Sequence, residues 1–71
     1  MDKATARQVS ALLEQAIGKL SEAVDIAQRS LSPAEYETLR RGAGLAIGRI
    51  SHELLDPIYE QFPDLAPPGV L

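Results

Sequence analysis

The chain has 71 residues, 45% of them hydrophobic, with ten acidic against seven basic side chains and a net charge of −3. It contains no cysteine, which excludes disulfides and thiolate zinc sites. The acidic balance argues against nucleic acid and anionic membranes as main partners, because both are bound through cations. The length allows one domain, whose core alone supplies roughly 3–5 kcal/mol, so oligomerisation is the stabilising device that remains.

The opening residues, Met1 to Arg7, carry charges with no apolar run behind them, which is not the pattern of a signal peptide. No stretch has the roughly 20 apolar residues of a membrane span. A cytoplasmic protein without membrane contact is expected.

The first helix starts at one of two caps. Thr5 with Gln8 three residues later makes a capping box, and Asp2 is an equal rival. From there to about Arg29 there is no proline and one glycine, Gly18. Ala6, Leu13, Ile17, Leu20, Val24, Ala27 and Leu31 recur at heptad spacing. Val9, Leu12, Ala16 and Ala23 widen this seam to an arc of roughly 140° at about 100° per residue, more than one partner helix covers.

Ser30-Leu31-Ser32 is the turn. In Ser32-Pro33-Ala34-Glu35, Ser32 is the cap, Pro33 takes the first helical position where its missing N–H is harmless, and Glu35 reaches back to the cap. So short a connection makes the second helix antiparallel to the first. That helix is expected over Pro33 to about Leu55, with Tyr36, Leu39, Ala43, Ala46, Ile47, Ile50 and Leu54 on its apolar stripe. Glu37/Arg41 and Asp25/Arg29 are i,i+4 pairs on solvated faces.

Pro57 cannot donate to the Glu53 carbonyl, so Asp56 is either a kink or the cap of a short third helix ending near Phe62. Residues 1–62 form the helical domain. Residues 63–71 read as an extended tail, ordered only where Leu65 or Leu71 docks on the helices.

Gly42, Gly44 and Gly48 fall inside the second helix, each at a cost of roughly 1 kcal/mol against alanine. On a wheel, Gly44 and Gly48 share a side with Arg41, Leu45, His52, Leu55 and Tyr59. Close approach of another backbone to that side would offset the cost. Gly42 to Gly48 is not a dinucleotide-binding loop, since a charged helical stretch precedes it where a buried strand is required.

His52 and Asp56, at i,i+4, match two ligands of a zinc-protease helix, but a catalytic zinc needs a third and there is no other histidine. Ser51 adjoins His52 in sequence, yet neighbours on a helix point about 100° apart. Arg40, Arg41 and Arg49 point three ways and form no stripe for a phosphate backbone.

The expected fold is therefore all-α: an antiparallel two-helix hairpin with a short C-terminal helical turn, assembling as a four-helix-bundle homodimer. The expected function is a helical protein–protein interaction module that is not an enzyme and needs no cofactor. Its partner is a second copy or another helical protein. The interface is drawn from Leu12, Leu13, Ala16, Leu20, Ala23, Gly44, Leu45, Gly48, His52 and Leu55. A dimeric nucleic-acid-binding regulator, and a metal-dependent enzyme using His52 and Asp56, are the alternatives.

Overall fold

The computed structural model describes residues 1–67, and Leu71 therefore lies outside the described residues. These residues are helical nearly throughout: α1 (Lys3–Ser30), α2 (Pro33–Arg49), a π-helical turn (Ile50–Leu55), α3 (Asp56–Gln61) and a 3-10 turn (Pro63–Leu65). Asp2, not Thr5, occupies the N-cap of α1, so the helix takes the longer of its two possible starts.

Leu31 and Ser32 alone separate α1 from α2. The Ser32 hydroxyl accepts from the Glu35 amide, and the Glu35 carboxylate accepts from the Ser32 amide and hydroxyl. This reciprocal box, with Pro33 in the first turn, starts α2 at once and sends it back along α1. The Ser32 hydroxyl, and then its amide, hold the Glu35 carboxyl below its ordinary range.

The second helix does not continue as an α-helix to Leu55. After Arg49 the backbone widens, and the Asp56 amide donates to the Ser51 carbonyl, five residues back. The turn ends just before Pro57, whose missing N–H leaves the usual four-residue ladder without a donor at that point. The inserted residue sets everything after it back by about 100° relative to an uninterrupted helix. Leu55, Ile58 and Tyr59 are thereby brought inward, and with Ala6 they form the main buried cluster. Leu55, expected on an outward interface, is 4% exposed and belongs to this intrachain core.

Pro63, Asp64 and Leu65 form a 3-10 turn where an extended tail is expected, and Leu65 and Ala66 pack against the core cluster. An ion pair between Lys3 and Asp64 closes the N-terminal end of α1 over this turn. The Lys3 ammonium holds the Asp64 carboxyl below its ordinary range.

Toward the connecting turn the hairpin is thin, with Ala27 and Ala43 buried. Ser10, buried in the seam of α1, is satisfied by donating to the Arg7 carbonyl at 3.2 Å. Among the described residues no large side chain is completely buried. The chain measures 45 × 21 × 16 Å with a radius of gyration of 14.4 Å, against about 11 Å for a compact domain of this length. It exposes 5075 Å², against roughly 4,300 Å² for a compact monomer of 7.7 kDa. The fold is an elongated helical hairpin with a small core.

A candidate interaction face on one side of the hairpin

The two sides of the hairpin differ. On the first, Ser21, Val24 and Asp25 of α1 stand beside Arg40, Ala43, Gly44 and Ile47 of α2 around a hollow of about 260 Å³. On the second, the wheel of α1 presents Leu12, Ala16, Leu20 and Ala23, and that of α2 presents Leu39, Ala46 and Ile50. The extra residue of the π turn rotates Leu54 onto this same side, where it is 49% exposed. Leu12 is 64% exposed and Leu39 is 39% exposed. Ala23 is exposed, and Ala16, Leu20 and Ala46 between them are half-buried, while Ile50 at the edge packs against the core cluster. A strip of aliphatic side chains thus runs along the second side and faces solvent.

Helical-wheel positions place no charged residue in the middle of the strip, and several of the charges elsewhere on the helices are paired locally. Arg40 donates to Glu37 at 2.6 Å, and Arg41 lies 3.6 Å from the same carboxylate. Arg40, through its hydrogen bond and its charge, holds the Glu37 carboxyl below its usual range. Arg49 reaches Glu53 at 3.3 Å, and Lys19 reaches Glu22 at 3.3 Å. The three arginines are each tied to an acid of their own helical segment or its continuation, and no cationic stripe forms. Asp25 and Arg29, expected to pair, do not come within ion-pair distance. Arg40, rather than Arg41, is the principal partner of Glu37.

The residues singled out in the sequence separate into three places. Leu12, Leu13, Ala16, Leu20 and Ala23 belong to the side of α1 that carries the open strip, with Leu13 turned partly into the core. Gly44 lines the hollow on the opposite side. Leu45 is 68% exposed on the outer edge of α2, and His52 is exposed. A methyl group added at Gly44 or Gly48 would meet nothing within 4 Å, so packing within the chain does not require either glycine. Leu39 and Leu54 join the open face without having been expected in the interface. Leu39 is readable from its position beside Ala46 and Ile50, whereas Leu54 depends on the π turn.

His52 Nδ1 lies 3.0 Å from the Asp56 carboxylate on the exposed surface. Among the described residues no group of three or more His, Cys, Asp or Glu side chains is placed to hold a metal ion. Ser51 is directed to a different place, a hollow of about 200 Å³ lined also by Glu14, Ile17, Leu55, Asp56 and Tyr59. There the Tyr59 hydroxyl donates to Glu14 at 2.5 Å. Burial, and then this carboxylate, push the Tyr59 hydroxyl up to about 12. No described helix is long and apolar enough to cross a membrane. Comparison with protein-family models, with curated proteins and with solved structures gives no match for this chain.

Proposed function

We propose that the protein is a helical interaction module whose first partner is a second copy of itself, packed through the strip of Leu12, Ala16, Ala23, Leu39 and Leu54 to make a four-helix bundle. The observation that carries this reading is the strip, to which both long helices contribute and in whose centre no charge stands. Area supports it as well. The chain exposes 5075 Å², roughly 750 Å² more than a compact monomer of its mass, close to the roughly 800 Å² that each partner buries in a stable interface. Ala16, Ala23 and Ala46 keep the centre of the strip low, so a partner helix can approach closely.

Sedimentation equilibrium of Leu12→Glu and Leu54→Glu tests the reading. Each places a charge in the proposed contact while leaving the buried cluster intact. The expected result is a dimer for the parent chain and monomers for both variants, with unchanged helix content. Variants that keep the parent mass would remove the strip from the interface. A parent chain that is monomeric until another helical protein is added would assign the strip to a hetero-partner.

A further inference from the structure

The side of the hairpin opposite the strip carries a second feature. The hollow lined by Ser21, Val24, Asp25, Arg40 and Gly44 and the hollow lined by Glu14, Ile17, Ser51, Asp56 and Tyr59, with Pro67 of the chain's own C-terminal segment at its edge, are consecutive. Ile17 of one and Ser21 of the other are a helical turn apart on α1, and Ile47 and Ser51 are one turn apart across the way. Together they make one groove between the helices. From Glu14 to Asp25 it runs about 17 Å, the length of three helical turns.

The groove has an apolar floor, made by Ile17, Val24, Ala43, Ile47 and Leu55. Its edges are acidic. Asp25 makes no ion pair among the described residues, Asp56 meets only His52, and Glu14 accepts from a neutral hydroxyl. The single base on its lining, Arg40, is already neutralised by Glu37. Gly44 stands on the wall with open space in place of a side chain. In a helix interior that glycine costs roughly 1 kcal/mol, and no contact within the chain accounts for it.

We propose that this groove is a docking site for a cationic amphipathic helix. Apolar side chains at i, i+3, i+4 and i+7 of the partner lie on the floor, the mode by which helices enter grooves. Its lysines or arginines face Glu14, Asp25 and Asp56, and Gly44 leaves room for its backbone. Charge decides against the other occupants. An acidic helix or a nucleic acid would meet Asp25, which has no ion pair among the described residues, together with Glu14 and Asp56, whose partners are a neutral hydroxyl and a histidine. The site lies away from the self-association strip and does not rest on it.

The test uses a fluorescently labelled 15-residue helical peptide with leucine on one face and lysine on the other, and a counterpart with every lysine replaced by glutamate. Fluorescence anisotropy is expected to show binding of the lysine peptide, weakening as salt is raised. The glutamate peptide should bind at least tenfold more weakly. Asp25→Lys with Asp56→Lys should weaken the lysine peptide at least tenfold. Gly44→Leu should do the same while circular dichroism and melting show the fold retained, since open space surrounds that position. Leu12→Glu should leave peptide affinity unchanged, whatever it does to the mass of the protein. Equal binding of both peptides, or loss of binding in Leu12→Glu but not in Gly44→Leu, would overturn the proposal. So would conversion of a dimer to a monomer by Gly44→Leu alone, because the groove would then be the self-association site.

Discussion

The Tyr59 hydroxyl donates to the Glu14 carboxylate at 2.5 Å across 45 residues of sequence. It ties α3, six residues long and too short to stand alone, to α1. The phenol is buried and its partner is charged, so the bond is of the stronger kind. Tyr59→Phe is expected to lower stability by about 1–2 kcal/mol in urea unfolding, because it leaves the Glu14 carboxylate without its donor. An unchanged midpoint would show that water replaces the hydroxyl at no cost.

The same tyrosine sets an alkaline limit. Its folded-state value, about 12, lies above the ordinary value of 10. The neutral phenol is therefore favoured by folding, and the stability it confers is fully present below pH 10. It is lost as the pH rises from 10 through 12, where the unfolded chain ionises and the folded one does not. Melting temperature should fall across that window in the parent chain and fall less in Tyr59→Phe, which still contains Tyr36. Identical alkaline profiles would contradict the buried neutral phenol.

The π turn makes two adjacent leucines unequal. Leu55 is 4% exposed and Leu54 is 49% exposed. Leu55→Ala should cost about 2–5 kcal/mol, the range for a leucine removed from a core. Leu54→Ala should cost less than about 1 kcal/mol in dilute solution and more at concentrations where the strip is covered. An uninterrupted α-helix through Pro57 would reverse the order, so the pair of variants reads the register directly.

Gly18 of α1 is exposed, and a methyl group there would meet nothing within 4 Å. Gly18→Ala is expected to raise stability by about 1 kcal/mol through helix propensity alone. Ser32→Ala should lower it by about 1 kcal/mol by opening the capping box. Thermal or urea midpoints of the two variants that do not move in opposite directions would contradict the local account of these helices.

The features legible in the sequence are those set by local rules. Ser32-Pro33-Ala34-Glu35 contains a whole capping box within four residues, and the box forms in full. The two long helices, their short connection and the apolar surplus on α1 follow from period and composition. Leu55 and Tyr59 sit elsewhere than a helical wheel puts them, because a wheel assumes one constant period. Pro57 announces an interruption, but not that a widened turn absorbs it and rotates the residues beyond. The sequence names Leu65 and Leu71 as the residues able to dock the tail, but a lone leucine has no period to say that Leu65 reaches the core. Asp25 and Arg29 have the right spacing for a pair, but exposed ion pairs are worth too little for spacing alone to enforce them. The acidic groove is hidden for a further reason: its walls come from α1, from α2, from the π turn and from residues beyond it as far as Pro67.

Light scattering behind size exclusion, over a tenfold concentration range, tests the central claim most directly. Self-association through the open strip predicts a constant mass of twice the 7.7 kDa chain. A constant mass of one chain throughout would contradict it.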